Sequence, residues 1–113
     1  MATPERAALS VLTPHGDIDA STIEPLSAQM SAAAQAGASV ILDAAAITFG
    51  DSTFLNLLLS THRQTDLRIA AVPDGIGRLL SLTGADTVLR LFHTVEQARV
   101  ATPPPPEDRT TAI

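Results

Sequence analysis

The sequence predicts an α/β fold in which strands and helices alternate around a largely parallel sheet, and three observations lead there. Val40, Ile41 and Leu42 form an unbroken apolar run, as a strand covered on both faces requires. A second, largely apolar run, LRIAAV, follows at 67–72 after a helix-length segment and reads as another buried strand. The segments between and around these runs carry apolar residues at helical spacing, and two of them end in glycine, at Gly37 and Gly84. Strand and helix taking turns in this way is the pattern of a layered α/β domain.

Taken in order, residues 7–12 form a short apolar strand that Pro14 and Gly16 stop. GDIDASTIEPLSAQMSAAAQAG at 16–37 then opens with the cap-forming residues Ser21 and Thr22, places Ile23, Leu26 and Met30 at helical spacing, and stops at Gly37. The strand through Val40–Leu42 is expected to be central in the sheet. A helix runs from Asp51 to about Gln64, the 67–72 strand follows, and GIGRLLSLTG at 75–84 makes a short helix with Gly84 at its C-terminal cap. Residues 88–92 make one more strand and 95–100 a last helix. The domain is expected to occupy residues 1–102. Four consecutive prolines begin at Pro103, and the tail 103–113 has little to bury, so it is expected to be extended and flexible.

Composition narrows the function. A chain of 113 residues is about one domain that buries roughly two-thirds of its unfolded surface. Its core is aliphatic, because there are three Phe and neither Tyr nor Trp. With no cysteine, a disulfide framework and a thiolate metal site are excluded. His15, His62 and His93 have no ligand-like spacing, so neither a metal nor another cofactor is expected. A formal charge of −5 with scattered arginines argues against a nucleic-acid partner and favours a basic or protein partner. No stretch approaches the roughly 18 apolar residues of a membrane span, and MATPERAALS lacks a basic segment followed by an apolar run. A soluble, cytoplasmic protein with no membrane partner is expected.

The 51–64 helix carries the most information. At about 100° per residue, Phe54, Leu55, Leu57, Leu58 and Leu59 sweep a wide apolar arc, while Thr53, Asn56, Ser60 and Arg63 share the opposite stripe. A partner docking on the first two turns meets Ser52, Thr53, Asn56, Leu57 and Ser60 together. The Asp51-Ser52-Thr53 start has two compatible readings. Asp51 or Ser52 can cap the helix, a contribution of about 1 kcal/mol. Ser52 is also well placed to carry a phosphate, since free amides and the positive end of the helix dipole lie beside it.

Catalysis is not expected. Ser52 and His62 are ten residues apart on one helix, about 15 Å, so they cannot form a nucleophile–base pair. GIGR at 75–78 lacks the glycine spacing and the lysine of nucleotide-binding loops and reads as a helix start. Asp17 and Asp19 read as turn-forming residues. His62 reads as a partly buried packing residue, His15 as a turn residue and His93 as a loop residue.

Three blocks in order resemble the STAS domain of bacterial anti-sigma-factor antagonists. GDID at 16–19 is similar to the family's turn after its first core strand. VILDAAAITFGDSTFLNLLLSTHR at 40–63 is similar to its central block, in which a hydrophobic strand ends in Asp, a Val or Ile and a Phe follow, and Asp-Ser-Ser/Thr opens an aliphatic helix. PDGIGRLLSLTGADTVLRLF at 73–92 resembles the later helix, its glycine and the last strand, and VEQARV resembles the closing helix. The resemblance implies a single STAS-like domain, a mixed, mostly parallel sheet of four to five strands with helices mainly on one side, and no enzymatic activity. It further implies a switch. An anti-sigma factor that is also a serine protein kinase binds the unmodified antagonist, the kinase phosphorylates the first Ser of the motif, and a serine phosphatase reverses the modification. Carried onto this chain, Ser52 is the phosphoacceptor, Asp51 the flanking acid, and Asp51, Thr53, Asn56, Leu57 and Ser60 the partner surface.

The chain departs from the family pattern in three places. Phe54 stands where Gly usually follows the Ser-Ser/Thr pair. Asn56 and Ser60 stand on the exposed stripe where small residues are usual. The first strand is shortened, leaving a sheet edge at which weak homodimerisation is open. The competing reading is a STAS scaffold, accessory subunit or small-ligand sensor that is never phosphorylated and in which Ser52 only caps its helix.

Overall fold

The computed structural model describes residues 9–102. The 103–113 tail expectation and the first residues of the predicted opening strand lie outside them. The elements in chain order are β1 (Leu9–Leu12), β2 (Gly16–Ile18), α1 (Glu24–Gln35), β3 (Ser39–Asp43), β4 (Ile47–Gly50), α2 (Ser52–Gln64), β5 (Leu67–Ala70), α3 (Asp74–Thr83), a 3₁₀ turn (Ala85–Thr87), β6 (Arg90–Phe92) and α4 (Val95–Val100). Strands β1, β3, β5 and β6 form a four-stranded sheet in the order β1-β3-β5-β6, and β2 pairs with β4 in a separate two-stranded ribbon. Every strand pair among the described residues is parallel.

Strand alternation divides the interior in two. Val40 and Leu42 of β3 and Leu67 and Ile69 of β5 point to the main core, where they meet Leu26 and Met30 of α1, Phe54 and Leu58 of α2, and Ile76 and Leu80 of α3. Ile41 and Ala70 point the other way and are covered by Ala98 and Val95 of α4, with Leu9 and Phe92 alongside. Helices therefore pack mainly on one face, and β3, covered on both, shows why its sequence is apolar without alternation.

One charged residue interrupts the second face. Arg68 of β5 is 4% exposed. Its Nε and one terminal nitrogen donate to Asp66 Oδ2 at 3.0 and 2.8 Å, and the other terminal nitrogen donates to the Ala98 carbonyl of α4 at 2.7 Å. Arg90 of β6 donates to Asp66 Oδ1 at 2.7 Å and to the Thr102 carbonyl at 2.7 Å. A buried charge is tolerated only when paired and fully hydrogen-bonded, and this network meets that condition while tying α4 and the chain after it to the sheet. Burial alone would raise the Asp66 pKa. The hydrogen bond and charge of Arg68, then those of Arg90, outweigh burial and hold the carboxyl below its ordinary value.

Several boundaries differ from the sequence expectation for local reasons. Helix α1 begins at Glu24, after Ile23 and with no side-chain cap, because Ser21 and Thr22 are engaged in the preceding turn. Ser21 Oγ donates to Asp19 Oδ1 at 2.8 Å and Thr22 Oγ1 to the Asp17 carbonyl at 2.7 Å. Strand β5 ends at Ala70 because Ala71 turns into the left-handed region, with φ 58°. Val88 and Leu89 precede β6, since the 3₁₀ turn occupies the chain up to Thr87. Gly84 caps α3 as expected, at φ 78°, a conformation that side chains with a Cβ adopt only with strain. The two strands of the ribbon, β2 and β4, are additions to the elements expected.

Candidate functional site

The approach to α2 is set by β4 and ends in a cap. Asp51 lies in extended backbone at φ −116° and ψ −164°, and its side chain accepts from the first helical amides. Asp51 Oδ1 receives the Thr53 N–H at 2.9 Å and the Phe54 N–H at 3.3 Å, and the Asp51 carbonyl receives the Leu55 N–H at 3.0 Å. The cap residue must itself be non-helical while its side chain reaches forward two or three residues, and Asp51 meets both conditions. Ser52 is consequently the first helical residue, exposed, and its hydroxyl makes no hydrogen bond to another group among the described residues. Of the two capping candidates in the sequence, the aspartate caps and the serine is left at the surface.

Phe54 does not narrow access to Ser52, because it points inward. It is 0% exposed and lies in the main core. Room for its ring comes from Gly50: a Cβ at position 50 would lie 2.5 Å from Phe54 Cδ2, 3.2 Å from Phe54 Cε2 and 3.2 Å from Ile76 Cδ1. The glycine and the ring form a complementary pair across the turn that carries Asp51 and Ser52. A large residue at 54 is compatible with an exposed hydroxyl at 52 because the residue two positions before it has no side chain.

The predicted stripe is assembled on consecutive turns of α2. Ser52 and Asn56 are exposed, Thr53 and Ser60 are half-buried, and Leu57 is partly buried against the main core. Ser60 Oγ accepts from Gln64 Nε2 at 3.2 Å. At 1.5 Å per residue the patch from Ser52 to Ser60 is about 12 Å long. Thr61, which the sequence left unassigned, lies on the buried side at 4% exposure and donates its hydroxyl hydrogen to Met30 Sδ at 3.2 Å. His62 is half-buried near the far end of the helix, about 15 Å from Ser52 by helix rise.

Beside the stripe lies a feature that sequence reasoning missed. In the ribbon, Asp17 of β2 stands opposite Phe49 of β4, and Thr48 Oγ1 donates to Asp17 Oδ1 at 2.6 Å. Phe49 is 51% exposed, three residues before Ser52. The signal available in the sequence was ITFG itself, where Ile47 and Phe49 alternate with Thr48, but four residues are too few to establish a period. The neighbouring GDID segment is a tightly bonded turn. The Ser21 hydroxyl and backbone N–H, and then Thr22, hydrogen-bond the Asp19 carboxylate and lower its pKa. Gly75 to Arg78 lie in the opening turns of α3, as an ordinary helix start requires. His93 sits between β6 and α4, where its N–H donates to Gln97 Oε1 at 3.1 Å.

A helix opened by an aspartate cap, with a free serine hydroxyl one residue on and a two-turn polar stripe behind it, suits recognition by another protein. Among the described residues no helix is long and apolar enough to cross a membrane. No curated protein sequence matches the chain. Solved structures do. An anti-sigma factor antagonist from Mycobacterium paratuberculosis is 26% identical over 82% of this chain and 84% of that one, with a TM-score of 0.75. The anti-sigma factor antagonist SpoIIAA in its unphosphorylated form is 21% identical over 88% of this chain and 89% of that one, with a TM-score of 0.70. An anti-sigma-factor antagonist (STAS) domain protein from Planctomyces limnophilus is 19% identical over 78% of this chain and 85% of that one, with a TM-score of 0.66. The family described as "Mlab, STAS domain" matches residues 1–92, and the chain belongs to the STAS-domain family.

Proposed function

We propose that this protein is an anti-sigma-factor antagonist working in the cytoplasm through residues 1–102. In its unmodified state it binds an anti-sigma factor of the serine-kinase class through Asp51, Thr53, Asn56, Leu57 and Ser60, and so releases a sigma factor for transcription. Phosphorylation of Ser52 switches the antagonist off, and a serine phosphatase restores it.

The observation that carries this reading is the division of labour at the helix start. Asp51 supplies the cap, so the Ser52 hydroxyl is exposed and has no structural bond to give up. The Asp51 cap supports this reading over one in which Ser52 serves only as a cap. In the transfer, Ser52 Oγ attacks the terminal phosphorus of ATP held by the kinase. The Oγ–P bond forms, the bond to the ADP oxygen breaks, and the hydroxyl proton passes to a kinase base.

The product carries a charge of roughly −1.5 to −2 one residue from the Asp51 carboxylate. Two amides of the first turn, those of Thr53 and Phe54, are already bonded to that carboxylate. Compensation by those two amides therefore requires the phosphate to displace Asp51. Otherwise its charge faces the partner, where repulsion and desolvation weaken binding. The fold itself keeps its cap and core.

The decisive experiment is peptide mass mapping across residues 51–63 of protein isolated from its native cells, beside a Ser52→Ala strain. Phosphate on Ser52 that vanishes in the variant is the expected result. Kinase binding is expected to survive Ser52→Ala and to weaken with Ser52→Asp. A chain unphosphorylated under every growth and stress condition, with Ser52→Asp binding as wild type, defeats the switch and leaves a STAS scaffold.

A further inference from the structure

We propose that the β2–β4 ribbon extends the docking surface beyond α2 and that Phe49 is its aromatic anchor, received by a basic, apolar-lined groove on the same anti-sigma factor. The inference rests on the function proposed above and adds residues to it that lie outside the helix.

Four observations converge on Phe49. It is 51% exposed, in contrast to Phe54 at 0%. It stands on a paired strand: β4 pairs with β2, with a register shift between Gly16 and Asp17, and leads directly into the close-packed Gly50 and the Asp51 cap. Asp17 lies across the ribbon with its carboxylate fixed by the Thr48 hydroxyl at 2.6 Å, and Asp51 follows two residues along the chain. Ser52, exposed, follows Asp51 and lies three residues after Phe49.

The chemistry of that surface specifies its occupant. An exposed aromatic ring with Asp17 opposite it in the ribbon, on a chain of net charge −5, is complementary to arginine or lysine beside an apolar pocket. Buried aromatic anchors held in a preformed conformation dominate interface energies, because little side-chain freedom is lost on binding. On this reading the modified residue lies three positions along the chain from the anchor.

The test uses full-length protein and a serine-kinase anti-sigma factor from the same genome, selected as one that binds the wild type. Phe49→Ala is expected to weaken binding by about 30-fold or more. Phe49→Leu, which keeps apolar area and loses the ring, is expected to give a smaller loss, and thermal midpoints are measured for both so that folding and binding separate. Asp17→Asn is expected to slow association and flatten its salt dependence. Wild-type affinity in Phe49→Ala, where Ser52→Asp abolishes binding, overturns this inference and leaves the proposed function standing. If no such kinase binds the wild type, the proposed function fails and the inference with it. A Phe49→Ala variant that binds normally but loses self-association on size-exclusion chromatography assigns the ring to a second copy of the chain, and overturns the inference as well.

Discussion

Gly50→Ala should destabilise the protein through a single steric overlap, and its size follows from the packing around Phe54. Gly50 lies outside the left-handed region that Gly16, Gly37 and Gly84 occupy, so backbone strain is not the issue. The new Cβ would sit 2.5 Å from Phe54 Cδ2, against the roughly 3.5–4.0 Å of an ordinary carbon contact, and 3.2 Å from Ile76 Cδ1. Phe54 is 0% exposed and cannot swing into solvent. Overpacking of this kind costs about 2–3 kcal/mol, while loss of glycine's freedom in the unfolded chain returns about 0.4–1 kcal/mol. Packing wins by about 2 kcal/mol, or a fall of roughly 8 °C in Tm for a domain of this size. Phe54→Leu should relieve the overlap, so the double variant should cost less than the two single variants summed by about 1 kcal/mol or more. The assay is urea unfolding followed by far-UV circular dichroism, since the chain has no Trp or Tyr to report by fluorescence. A Gly50→Ala variant within about 0.5 kcal/mol of wild type, or strict additivity in the cycle, refutes the complementary-pair reasoning.

Three further outcomes are expected. Asp51→Ala should cost about 1 kcal/mol by removing the cap, whereas Ser52→Ala should stay within about 0.5 kcal/mol of wild type; the reverse order in the same urea assay contradicts the capping assignment. Because the folded-state pKa of Asp66 is lowered, the stability it contributes is fully present above its ordinary pKa of 3.8 and is lost as pH falls through the lower folded value. Asp66→Asn should therefore flatten the acid limb of a stability-versus-pH curve, and at neutral pH it should cost about 3–5 kcal/mol by leaving Arg68 buried and uncompensated; an unchanged acid limb counts against the network. Gly84→Ala should cost about 1 kcal/mol in thermal unfolding, since it forces a Cβ into φ 78° at the end of α3.

The acid–arginine network shows why some of the interior was illegible in one dimension. LRIAAV at 67–72 reads as an apolar strand in spite of its arginine, yet nothing near Arg68 in sequence announces that its partners include the Ala98 carbonyl, 30 residues away. The ribbon is a similar case. Strands β2 and β4 are three and four residues long, too short for a period, and they exist because each supplies the other's backbone partners and because Thr48 reaches Asp17 across 31 residues. Phe49 was passed over because its neighbourhood could not be read.

What the sequence determined by itself is the part that local physics decides. A continuous apolar run marked β3 and a largely apolar one marked β5, since a strand covered on both faces needs no alternation. Helical spacing marked α1 and α2, and Gly84 marked the end of α3 because a left-handed cap favours a residue without a Cβ. The order of the three family-like blocks identified the fold, and the polar stripe of α2 followed from a 100° rotation per residue. Tertiary structure alone decided which of Asp51 and Ser52 caps α2, because both have the chemistry and the extended backbone at Asp51, where β4 gives way to the helix, distinguishes them. It decided the place of Phe54 through a glycine that makes room for its ring, and the exposure of Phe49 through a strand paired outside the main sheet. Those three outcomes depend on distances between residues that local preference does not set, and the first two leave Ser52 free at the surface.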